Sequence, residues 1–258
     1  MNIKLLGAAC ALTLGSAGAM AAPSAGSFEI TSFSYVASGG TLSWLPGGYQ
    51  SLSVDSEEAG GLGGNQIDGM TIDGRANASY STQVAHASAQ VSATAAGLLS
   101  GSASATPFIV DATAQPHLGI SSALQYGEFS LSQAGSVTFT VNYTLTANAQ
   151  AGDPLTTYAA SKLVFDAGTY TNFNSFSDEL HTVQGSSGTR TGSFSYTVSL
   201  GGADEIGHYN FTGTAYATAM AAPVPEPSEW ALMLAGLGLL GGWRLRQQRR
   251  AGRQEVAA

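Results

Sequence analysis

The side chains able to do chemistry in this 258-residue chain are few and scattered: four histidines, one cysteine and 17 carboxylates. Asp178-Glu179-x-His181 is the densest ionisable cluster. Its spacing suits either a metal or acid–base site or a solvated turn. His86, His117 and His208 stand far from it and from one another in sequence. Asp55, Glu57 and Glu58 precede the run Gly60-Gly61-Leu62-Gly63-Gly64, and Asp68 and Asp73 follow it. Oxygen ligands on the loops of a β domain suit weak Ca²⁺ binding, although this spacing is not that of an EF-hand; the other reading is a set of solvated acidic turns. No other cofactor is indicated. The chain lacks a G-x-S-x-G elbow, an H-E-x-x-H pair and a G-x-G-x-x-G run after a strand, so the body reads as non-enzymatic. Trp44, Tyr49, Tyr80, Tyr170 and Tyr209 raise the question of sugar stacking, against the ordinary use of strand aromatics in a core. Tyr170, Phe173 and Phe176, set among Asn172, Asn174 and Ser175, read as a loop exposing at least one ring.

The elements that must position these groups are strands. Val137, Phe139, Val141, Tyr143 and Leu145 alternate with Thr138, Thr140, Asn142 and Thr144, the pattern of a strand with one apolar and one wet face. Phe194, Tyr196, Val198 and Leu200 alternate with serine and threonine in the same way. Phe129 and Leu131 repeat the pattern before Gln133-Ala134-Gly135, which predicts a hairpin into the strand at 136. Further strands are predicted over Ser27–Val36, Thr41–Leu45, Gln50–Val54, Ala160–Phe165 and Tyr209–Thr218. Residues 79–95 place alanines on odd positions and polar residues on even ones, so one long strand with a small-residue face is expected there. Short alternating segments divided by Gly, Asn and Asp turns indicate an all-β fold, an antiparallel β-sandwich or jelly roll.

The two ends of the chain differ from this body. Lys4, an apolar run from Leu5 to Leu14 and the A-x-A site Ala19-Met20-Ala21 form a secretory signal peptide over residues 1–21. Cleavage between Ala21 and Ala22 then removes Cys10, leaving a body without cysteine and so without disulfides. Residues 22–222 are the extracytoplasmic domain. They hold 14 carboxylates against Arg75, Lys162 and Arg190, a net charge of about −11. Three scattered cations offer no footprint for nucleic acid. Residues 223–258 are a tail in three parts. Pro225-Glu226-Pro227 forms a stiff extended knuckle, because proline lacks a donor and restricts its neighbours. An uncharged apolar run follows from Trp230 to Trp243, and as a helix its 14 residues would rise about 21 Å. That is short of a bilayer's hydrocarbon, yet the run is apolar all round, with tryptophans at both ends. Arg244, Arg246, Arg249 and Arg250 then supply a cytoplasmic stop, so the run reads as a short C-terminal transmembrane helix.

This ordered tail resembles the PEP-CTERM sorting signal of Gram-negative bacteria. The resemblance rests on Pro225, Glu226 and Pro227 for the recognition motif, Trp230 to Trp243 for the span and Arg244 to Arg250 for the basic end. It implies export through the Sec machinery and anchoring of the precursor in the inner membrane. It also implies processing by exosortase, a membrane-embedded cysteine transpeptidase, and delivery to the envelope or a biofilm matrix, with exopolysaccharide as a further partner. The expectation for the body is a structural or interaction protein; the alternative is a carbohydrate-binding module or glycan-active enzyme with the same tag.

Overall fold

The structure, a computed structural model, describes residues 23–58, 65–107, 117–150 and 157–220. The predicted signal peptide with Cys10, the glycine run and the whole PEP-CTERM-like tail lie outside the described residues. Among the described residues there are strands and turns and no helix, and so none long and apolar enough to cross a membrane.

The strands are β1 (Ser24–Ser38), β2 (Leu42–Trp44), β3 (Tyr49–Glu57), β4 (Asn65–Asp73), β5 (Ala78–Gln83), β6 (Ala87–Ala93) and β7 (Leu99–Ala105). Then come β8 (His117–Leu131), β9 (Gly135–Ala149), β10 (Tyr158–Thr169), β11 (Phe173–Val183), β12 (Ser186–Leu200) and β13 (Gly207–Ala219). They form two antiparallel sheets. One runs β12-β9-β1-β7-β6-β5; the other runs β11-β10-β13-β8-β3-β4, with β2 also paired to β8. The inner faces pack together as a sandwich, and the alternation read from the sequence is the reason. Val137, Phe139, Val141, Tyr143 and Leu145 are all buried on β9, and Val198 and Leu200 on β12.

The core is graded in residue size. At one end Phe129, Phe139, Phe165, Tyr209 and Phe211 are buried, with rings from both sheets in contact: Phe139 lies 5.5 Å from Phe129 and 6.0 Å from Phe165. Toward the other end the inner positions shrink to Ala147 and Ala149 on β9, Ala215, Ala217 and Ala219 on β13, and Gly119 on β8. Sheets packed through ordinary side chains stand about 10 Å apart. At Gly26 a methyl group would sit 2.3 Å from the Ala160 carbonyl oxygen of the facing sheet, so here the two backbones nearly touch. The sandwich therefore tapers from a wide aromatic end to a narrow Ala/Gly end. A bulge in β1 between Ile30 and Ser32 changes the inward set from Phe28 and Ile30 to Phe33, which then packs against Phe211 at 5.1 Å.

Three expectations are corrected. Residues 79–95 are not one strand but the hairpin β5–β6, turning at Val84–His86. Buried positions switch from even in β5 (Thr82, then Val84) to odd in β6 (Ala87, Ala89, Val91, Ala93). Leu131 and Gly135 do not bound a hairpin, because β8 and β9 belong to different sheets and the link carries the chain across the sandwich. Phe173 and Phe176 are not in a loop but open strand β11, while Tyr170 does stay in the turn before it.

Candidate functional site

Strand alternation separates the Asp178-Glu179-x-His181 cluster. Asp178 faces inward, where it accepts a 2.6 Å hydrogen bond from the Tyr143 hydroxyl and one from Arg190. Burial pushes its carboxyl up, but these hydrogen bonds outweigh that and hold it below the usual carboxylate range. Burial and the Asp178 carboxylate push the Tyr143 hydroxyl up to about 12. Glu179 and His181 lie on the wet face, Glu179 at 3.5 Å from Lys162 and His181 against the Tyr158 ring. Of the cations in the body, Arg75 is the third, and it is inside an aromatic cage. Its guanidinium lies 4.4 Å from the Trp44 ring and donates to the Tyr209 hydroxyl.

The β3–β4 register spreads the carboxylates expected around the glycine run. Asp73 stands opposite Tyr49 and Asp68 opposite Val54, while Glu57 is at the far end opposite Asn65. Glu58 leaves that row altogether. It is buried and accepts a 2.7 Å hydrogen bond from the His86 backbone N–H, with the His86 Nδ1 3.0 Å from the same oxygen. Its other oxygen lies 3.8 Å from Nδ1 of His117, which is 1 % exposed. The two imidazole rings are 4.9 Å apart. One potential ligand atom from each of the three residues falls within 4.8 Å of the others. Burial lowers the His117 pKa, the Glu58 charge opposing that effect. Sequence reasoning missed this group because its members lie 28 and 31 residues apart; the available signals were His117 sharing the inward parity of Gly119, Ser121 and Ala123, and Glu58 continuing that of Leu52, Val54 and Ser56.

The aromatics divide. Tyr209 is buried core, and Trp44 is edge-on to it. Tyr170 and Phe173 are 67 % and 62 % exposed, so the predicted exposed ring is present twice. Tyr170 also completes a small polar cluster. Its hydroxyl and that of Tyr126, the latter at 2.7 Å, both donate to the Glu128 carboxylate. The His208 ring packs 5.3 Å from Tyr170 and 6.1 Å from Tyr126. The two phenol hydrogen bonds hold the Glu128 carboxyl below its ordinary value. An ionised acceptor beside one exposed ring, Tyr170, is chemistry suited to a polyol.

The predicted sorting residues Pro225, Glu226 and Pro227, span ends Trp230 and Trp243, arginines Arg244, Arg246, Arg249 and Arg250, and cleavage site Ala21–Ala22 all lie outside the described residues. Residues 223–250 match the family model of the PEP-CTERM protein-sorting motif. No curated protein and no solved structure matches the chain.

Proposed function

We propose that the protein is an exported structural or interaction protein of the cell envelope or exopolysaccharide matrix, anchored in the inner membrane as a precursor and processed by exosortase. The match at residues 223–250 carries this reading, since a sorting tail specifies handling and is joined here to an all-β body. Pro225-Glu226-Pro227 is what exosortase reads, the run from Trp230 to Trp243 is the span, and the arginines are the cytoplasmic stop. In a host that has exosortase, Glu226→Ala leaves insertion intact, because the span and the arginines are untouched. Unprocessed chain then accumulates in the inner membrane. Removal of Arg244, Arg246, Arg249 and Arg250 instead lets unprocessed chain slip outward, as a 14-residue run is weak without its stop. Intact mass and membrane fractionation read both. Wild-type chain that keeps Trp230 to Arg250 in every fraction overturns processing.

The second reading, a carbohydrate-binding module, is favoured by the Tyr170–Glu128–Tyr126 cluster alone. Retention of the released body on the host's exopolysaccharide, lost in Tyr170→Ala, separates it from a purely structural role.

A further inference from the structure

Glu58, His86 and His117 come from both sheets. Glu58 follows β3 and His117 opens β8 in the seven-stranded sheet, whereas His86 sits on the β5–β6 turn of the six-stranded one. The geometry points to a zinc-type metal site at these three residues, its fourth position left to water, clipping the two sheets together at the narrow end of the sandwich.

Four observations support it. The donor set is two imidazoles and a carboxylate, which suits Zn²⁺ and its neighbours better than the all-oxygen preference of Ca²⁺. Ligand bonds of about 2.0–2.2 Å in a tetrahedron place donor atoms roughly 3.3 Å apart. From the single oxygen Glu58 Oε2, His86 Nδ1 lies at 3.3 Å and His117 Nδ1 at 3.8 Å, at and slightly beyond that spacing. Glu58 and His117 are 6 % and 1 % exposed, and a buried carboxylate is costly unless positive charge or hydrogen bonds offset its desolvation. A dication supplies that charge to all three donors. Lastly, the site lies where the fold has least other means of holding its sheets. The inner positions nearby are Ala87, Ala105, Gly119 and Ala219, which bury little apolar area, and Cys10, within the predicted signal peptide, is the chain's only cysteine. Small-residue domains without disulfides gain from a metal that binds only the folded state. The competing role for Glu58 is a turn cap, through its hydrogen bonds from the His86 backbone and ring. That role needs no metal and predicts indifference to chelators.

The test uses the untagged full chain carrying Cys10→Ser in detergent, stripped by chelator dialysis, with Zn²⁺ or Co²⁺ alone as probe. Expected are one Zn²⁺ per chain, a melting temperature raised by zinc and returned by chelator, and visible Co²⁺ bands of a low-coordinate site. His86→Asn and Glu58→Gln should each weaken zinc binding by more than about tenfold. His86 is 26 % exposed on a turn, so His86→Asn is expected to fold, which an unchanged far-UV spectrum in chelator verifies. Absence of stoichiometric zinc, tight zinc retained in both variants, or Ca²⁺ displacing Zn²⁺ at equal concentration overturns the site. None of these readouts depends on processing of the tail.

Discussion

The inward carboxylate Asp178 shows how a residue that looks catalytic by spacing becomes structural by register. On β11 it shares its face with Phe176, Leu180 and Thr182, so it meets Tyr143 of β9 and Arg190 of β12 across the sandwich, while Glu179 and His181 turn to water. Adjacent residues on a strand point to opposite faces, and that alone separates a sequence cluster that a helix or loop could have kept together. Tyr143→Phe removes the hydroxyl from a nearly buried charge-assisted hydrogen bond, a loss of about 1.5–3 kcal/mol. The pH dependence has a sign at each limb. Asp178 has a depressed folded pKa, so its contribution is present above the unfolded carboxylate value of about 3.9 and disappears as pH falls through the lower folded value. Tyr143 has a raised folded pKa of about 12, so its contribution is full below the unfolded value, about 10, and is lost as pH rises through the folded one. Urea midpoints from acid to alkaline pH should therefore fall at both limbs in the wild type. In Tyr143→Phe the alkaline fall from this residue disappears, and the acid fall becomes smaller and ends at a higher pH, because the folded Asp178 pKa moves toward the unfolded value. An unchanged midpoint at neutral pH would refute the contribution of the pair.

At the scale of elements, the sequence states which face of a strand is buried and stays silent on its partner. The parity of residues 137–145 and 193–200 identified β9 and β12 because polar and apolar residues alternate without a break. The same signal made β8 and β9 look like a hairpin. Phe129 and Leu131 do share a core with Val137 and Phe139, but from opposite sheets, and alternation is identical either way. For the β5–β6 hairpin the clue was on the page: Tyr80, Thr82 and Val84 have even numbers, and Ala87, Ala89 and Val91 odd ones. The turn between them has no glycine or proline to announce it. The taper has its own test at Gly26. A methyl there meets backbone oxygens of Ala160 and Tyr216 at 2.3 and 2.7 Å, atoms that cannot rotate aside, so Gly26→Ala forces the sheets apart. We expect a loss of about 1–3 kcal/mol, as for other overpacked cores. Gly202→Ala, with open space around it and no special backbone angle, is the matched control and should be neutral. Equal melting temperatures for the two variants would reject close backbone approach at the narrow end.

At the scale of the molecule, the chain ends of the body lie in the middle of its sheets. β1 lies between β9 and β7, pairing Ala25 with both Asn148 and Ser104, and β13 lies between β10 and β8. Such non-local pairing requires large loops to close before contacts compensate, so folding is slow and late. For an exported chain this sets an order of events. The six-stranded sheet has all its strands once Leu200 has emerged, but the seven-stranded sheet waits for Ala219, and Tyr209 and Phe211, which β13 carries, fill the wide end of the core. Beyond Met220, Pro223, Pro225 and Pro227 lack donors for a ladder, so the sequence that follows is unsuited to extend the sheet and is left for recognition. Two signal-less truncations test the boundary. A chain ending at Met220 keeps every strand of the described residues and should be β-rich, monodisperse and resistant to protease. A chain ending at Glu205 leaves β8 and β10 facing an open slot, with the Phe129 and Phe165 rings uncovered, and should be protease-sensitive and prone to aggregate. Comparable resistance of the two chains would mean that β13 is peripheral, and the body would then be able to fold before its last strand leaves the membrane.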